Sequence, residues 1–297
     1  LIMEVPALVK EYFPTFNSAS GTLPKEAAGA FGKYRNRLKL GGIKFVIDGS
    51  PQGKTAFWSK PLLTPGPGGE ANWRGEPSAP PELVNKLVAT CIAEGIQLFA
   101  HCNGDAAIDM MIDALRLTGA RAGDDRRTII IHSQCMRPDQ LDAYVEMGLS
   151  PSFFTAHTFF WGDVHLENLG EDRAFFISPT KSAQDKAIRF SNHNDFRVTP
   201  IDPMRMAQTA MNRTSRKGVV IGPAERIDCW TALKALTINA AWQIREEDIK
   251  GSIEGGKLAD LVVLDADPMT TPVEKIADIK VVETFKEGRS VYRRKAA

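Results

Sequence analysis

Short apolar runs alternate with helix-patterned stretches from residue 42 to residue 195, and this alternation most limits what the chain can become. The runs cover 42–47, 96–101, 128–132, 149–154 and 189–195. Between them, Pro81 opens a helix with Leu83, Leu87 and Cys91 four residues apart, closed by Gly95. A second helix over about 105–118 puts Ile108, Met111, Ile112 and Leu115 on one face, and a third runs from Pro138 to Met147. Strand–helix–strand order of this kind builds a parallel sheet. Side chains at the C-terminal ends of its strands converge on the face where such proteins do their chemistry. His101, His132 and Asp195 each close a run, and Lys44 lies inside a fourth. Those residue types together point to a metal site.

The 297 residues can bury a substantial core, as one barrel or two smaller domains. With 43% hydrophobic and 25% charged residues the composition is that of an ordinary soluble globular protein. A net charge of +1 makes no electrostatic case for nucleic acid or an anionic membrane as partner. No apolar run approaches the roughly 18 residues of a membrane span. Cys91, Cys102, Cys135 and Cys229 form no C-x-x-C pair, so free thiols are expected. The sequence opens on Leu1 without a signal-like segment. It reads as the interior of a longer protein and names no compartment.

The pattern of residues 1–40 allows a helix near 24–38 and shows no clear chemistry. After the first run comes a glycine- and proline-rich stretch (Pro61, Pro65, Gly66, Pro67, Gly68, Gly69) that suits a long active-site loop. Phe159-Phe160-Trp161 is expected in an aromatic loop, and helices are expected at about 203–216 and 228–243. From Gly251 a glycine turn leads into a strand, and 280–292 reads as a hairpin, so 251–297 forms a small all-β segment. The five α/β runs are three short of an eight-stranded barrel. Either the sheet is open, or the chain is the C-terminal part of a barrel protein.

Each motif has a plainer reading. Asp48-Gly49-Ser50-Pro51-Gln52-Gly53-Lys54-Thr55 resembles a phosphate-binding loop, but aspartate stands where the first glycine belongs and no helix follows. A turn-rich substrate loop is the better reading. A lone strand-terminal histidine is usually structural, yet all five (His101, His132, His157, His165, His193) fall between 101 and 193. Asp195 has the alternative of a turn residue before Pro200. His193 shares a strand face with Asp195 and is either a supporting or a substrate-facing residue. Lys44 either sits on an exposed strand face or carries CO2 as a carbamate that bridges metal ions. Cys102 points away from His101 by strand alternation, which argues against a Cys–His hydrolase.

At this point the chain resembles the amidohydrolase superfamily, in its YtcJ-like, N-substituted formamide deformylase-like branch. The matching segments are Ile43–Ser50, Ala100–Ala107, Ile131–Gln134, His193–Pro203, Leu236–Ala241 and Gly251–Leu261. The resemblance implies a metal-dependent (β/α)8 hydrolase with a small β-sandwich. Residues 1–250 would then be a partial TIM barrel, strands four to eight, and 251–297 a β-sandwich segment. Lys44 takes the role of a carboxylated bridging lysine, His101 and His132 those of metal ligands, and Asp195 that of ligand and general base. The strand-one His-x-His pair is absent, so the lysine-plus-two-histidine set is complete and the other set lacks two of four ligands.

The function so implied is hydrolysis of a C–N bond other than a peptide bond, in an N-acyl or N-formyl amide, by hydroxide bound to one or two divalent ions, Zn2+ by donor type. His157, Trp161 and His193 are the candidates for substrate contact. The expected partners are a small-molecule amide and either a second copy of this chain or a chain supplying the missing N-terminal strands. The rival expectation is a catalytically inactive, truncated relative that associates with another chain through its open sheet.

Overall fold

The computed structural model describes residues 29, 31–35 and 37–295. The start of the helix expected near 24–38 lies outside them. Its later part is corrected: Tyr34–Arg35 (β1) and Leu38–Lys39 (β2) pair antiparallel. The chain divides into two compact units at Pro151/Ser152.

In the first unit, Ile43–Val46 (β3), Leu98–Cys102 (β4) and Ile129–His132 (β5) run parallel, β3 beside β4 and β4 beside β5. Val46 pairs with His101, and His101 with Ile131; Lys44 pairs with Phe99. Alternation therefore puts Ile43, Leu98, Ala100, Cys102 and Ile130 on one face, and all five are buried. Lys44, Phe99, His101 and Ile131 lie on the other and are only half-buried.

Helices Pro81–Ala93 (α1), Asp105–Leu117 (α2) and Pro138–Met147 (α3) follow the expected spacing. The buried stripe of α1 is Val84, Val88 and Cys91, one residue round from the expected Leu83 and Leu87. That of α2 includes Ile108, Met111, Ile112 and Leu115, as its periodicity requires. The long loop after β3 packs against the unit, with Ala56, Trp58 and Leu62 buried and Trp58 N–H donating to the Arg74 carbonyl at 2.8 Å.

In the second unit, Ser150–Phe153 (β6), which carries the boundary, pairs parallel with Ser191–Asn192 (β7), Ser152 opposite Ser191. The run expected over 189–195 is thus much shorter as a strand. His193 N–H still donates to the Phe153 carbonyl at 2.9 Å, but beyond it the chain turns. Asn194 Nδ2 donates to the Pro200 carbonyl and Thr199 Oγ1 to the Asn194 carbonyl, and Asp195 adopts φ +48°. A run of asparagine and aspartate before proline prefers such local bonds to a ladder.

The expected aromatic loop is also corrected. Phe159, Phe160 and Trp161 lie inside helix His157–Leu169 (α4). The polar segment beyond it holds two short helices, Glu171–Phe175 (α5) and Thr180–Asp185 (α6). Pro203–Asn212 (α7) is capped by Asp202, whose carboxylate accepts from Arg205 N–H. The helix expected over 228–243 is broken at Thr237 into Cys229–Leu236 (α8) and Ile238–Gln243 (α9). Leu261–Leu264 (β8), Val281–Lys286 (β9) and Arg289–Arg293 (β10) form an antiparallel sheet in the order β10–β9–β8, with the expected hairpin between the last two. Gln208 on α7 donates to the Val273 carbonyl at 2.9 Å, tying the segment before β9 to the helices of its unit. All four cysteines are free and buried.

Candidate functional site

His101 and His132 meet although their strands alone would keep them apart. His132 pairs with Cys102, the neighbour of His101, so alternation would send the two imidazoles to opposite faces. His132 instead has φ +72° and Ser133 φ +45°. Left-handed backbone is costly for residues with a Cβ and persists only where the surroundings enforce it. It turns the ring back, and the two imidazoles lie edge to face, 4.6 Å between centroids and 81° between planes. Lys44 sits on the His101 face, two residues before the partner of His101 on β3.

Behind His101 stands Asp48, fully buried at the end of β3. One carboxylate oxygen accepts from Phe57 and Gly104 N–H, at 3.0 and 2.8 Å; the other accepts from Asn103 N–H at 2.9 Å. His101 Nδ1 lies 3.3 Å from that second oxygen, a close contact rather than an aligned hydrogen bond. Its Nε2 lies 3.2 Å from Asn103 Nδ2, which donates to the Gly49 carbonyl. With Nδ1 facing the Asp48 carboxylate, the nitrogen that His101 would offer a divalent ion is Nε2, which now lies by the Asn103 amide. Among the described residues no three His, Cys, Asp or Glu side chains gather closely enough to hold one. The pair of histidines is therefore what this unit presents, with Lys44 as the third group on their side. Asp195 belongs to the second unit, half-buried in the turn after β7.

The segment holding Asn103 and Gly104 also anchors the long loop. Asp105 accepts from Ser59 N–H at 2.9 Å and pairs with Arg137 at 3.0 Å, while Arg137 grips Asp109 with two further bonds of 2.9 Å. The lookalike phosphate loop closes on itself instead, Gly49 N–H to the Thr55 carbonyl and Ser50 N–H to Thr55 Oγ1.

In the second unit the three residues expected to touch substrate come together around Phe154. Its ring lies 4.7 Å from that of His157, 5.2 Å from His193 and 6.1 Å from Trp161, and His157 and Trp161 are 4.6 Å apart. His193 Nδ1 is 3.0 Å from Ser152 Oγ. A fourth member, His165, had no role assigned from sequence. Its Nε2 is 3.0 Å from His157 Nδ1, and it is wholly buried. Burial holds both rings neutral: it pushes His165 down to about 4 and His157 well below the usual histidine range, the latter helped by His165 and His193. The spacing of His157, Trp161 and His165 at i, i+4 and i+8 was the available signal, masked by reading 159–161 as a loop. Asn103 was visible only as part of a matching segment, and Asp48 stood out only as the residue that breaks the phosphate-loop pattern.

A sequence profile of the amidohydrolase family matches residues 18–292. The chain is 28% identical over 212 residues to the N-substituted formamide deformylase of Arthrobacter pascens, covering 71% of this chain and 39% of that protein. It is 30% identical over 259 residues to protein LONG AFTER FAR-RED 3 of Arabidopsis thaliana, covering 86% and 43%. Among solved structures, an uncharacterized metal-dependent hydrolase from Pyrococcus furiosus aligns with a TM-score of 0.68 at 26% identity, covering 81% of this chain and 48% of that one. The chain spans less than half the length of each of these proteins.

Proposed function

Because the chain belongs to the amidohydrolase family, we propose that the protein is a metal-dependent hydrolase that cleaves a C–N bond in an N-acyl or N-formyl amide. The observation that carries this reading is the His101–His132 pair, brought to 4.6 Å by the left-handed backbone of His132. Similarity to a formamide deformylase supports the amide, and likeness to a metal-dependent hydrolase supports the cation. Parallel β3–β5 and β6–β7 support a barrel segment, strands four to eight of a (β/α)8 fold.

Lys44, as a carbamate, and the two imidazoles would hold the ion, zinc by donor type. When bound, a divalent ion makes water nucleophilic at neutral pH and polarises a carbonyl. Asp48 holds the strand end that carries His101. Asp195 keeps the role of ligand and of base, first taking and then returning a proton, on the family resemblance. His157, Trp161 and His193 contact the substrate. The alternative, an inactive chain that associates with another, draws on the absence of a three-ligand cluster among the described residues and on Val46, 50% exposed on its strand.

Metal analysis after dialysis against trace zinc tests the reading. Near-stoichiometric zinc is expected, lost in His101→Ala and His132→Ala while circular dichroism stays unchanged. A wild-type chain that takes up no metal, alone or with a second copy, would leave the inactive reading standing.

A further inference from the structure

The buried pair His157–His165 fixes the direction of a hydrogen bond. The two nitrogens are 3.0 Å apart, the ring centroids 5.2 Å, and the planes differ by only 16°. The centroid separation exceeds the nitrogen separation by about two ring radii, so the bond runs head-on in a shared plane rather than through stacked faces. Phe154, edge-on at 4.7 Å, and Trp161, at 4.6 Å, keep the His157 ring in that plane.

One proton lies between the rings, and it has two possible owners. If His157 Nδ1–H donates, the proton of His165 must sit on its own Nδ1. That atom is buried without a hydrogen-bond partner. If His165 Nε2–H donates, the orphaned atom is a lone pair. A buried unpaired N–H is rarer in proteins than an under-used acceptor, because it forfeits a full hydrogen bond with water. The second arrangement wins, and it puts the remaining proton of His157 on Nε2, which, unlike His165 Nδ1, is not among the fully enclosed unpartnered atoms.

We propose that His165 is a positioning residue that locks His157 as a neutral imidazole with its proton on Nε2, so that His157 donates to an acceptor oxygen of the ligand. The carbonyl oxygen of an amide is the group it would take. That second clause rests on reading His157 as a substrate contact; the tautomer itself does not.

Long-range 1H–15N correlation spectra of histidine-labelled protein distinguish the two tautomers, with His157→Gln identifying the signal. The Nε2–H form of His157 should exceed the other by about tenfold or more, the order of penalty for an unpaired buried N–H. His165→Gln, whose side-chain amide can donate to Nδ1, should keep that pattern, and His165→Glu, whose carboxylate can only accept, should draw the proton to Nδ1. Formamide, used as the probe, should move the Nε2–H signal. A dominant Nδ1–H form in the wild-type protein, or an unchanged pattern in His165→Glu, overturns the proposal. Should His165→Glu not fold, the wild-type and His165→Gln spectra decide. A signal that formamide leaves in place removes the ligand clause alone. None of these readings needs metal, so a protein that fails metal analysis can still show the locked tautomer.

Discussion

Asp48 shows how much one side chain carries. Its carboxylate takes three backbone N–H groups, one each from Phe57, Asn103 and Gly104, with His101 Nδ1 alongside. Asp48→Ala would strand three buried donors and should cost about 3–5 kcal/mol in urea unfolding, far more than a surface aspartate. The histidine pair makes a second prediction. Both rings are harder to protonate folded than unfolded, so between about pH 6.5 and 4 the unfolded chain binds more protons. Stability from keeping them neutral is complete above about 6.5 and is lost as acid approaches 4. Thermal melts should fall steeply across that window, and less steeply in His165→Gln. At this scale the sequence disclosed the strand-terminal histidines because position in a strand is local information. Asp48 looked only like the residue that spoils a phosphate loop, since its burial depends on partners up to 56 residues away.

Among the elements, strand–helix order was readable because periodicity and caps are local, and α1 to α3 begin where Pro81, Asp105 and Pro138 indicate. Two departures have separate local causes. α4 swallowed the aromatic triplet because no glycine or proline interrupts 157–161, whereas β7 shrank because its polar residues satisfy one another in a turn. The junction of β4 and α2 is a tight joint. A Cβ at Gly104 would sit 1.9 Å from the Phe57 carbonyl oxygen and 2.9 Å from its nitrogen. Backbone cannot yield as a side-chain tip can. Gly104→Ala should therefore cost about 3 kcal/mol or more, against the usual gain of roughly 0.5–1 from replacing glycine near a helix. Chemical denaturation of both forms checks it.

For the molecule as a whole, fold class followed from alternation, and the family from short segments spread over most of the chain. The complete ligand set did not follow, because it depends on groups brought together by tertiary structure. The contorted peptide at His132 also has a consequence. Glycine tolerates φ +72° without penalty, so His132→Gly should be more stable than His132→Ala by about 1 kcal/mol, the reverse of the usual ranking in a strand. A backbone that would relax with a smaller residue, yet carries an imidazole, is bent against its own preference. In descendants without the proposed metal role, drift should erase this histidine early, with glycine or asparagine as its successor.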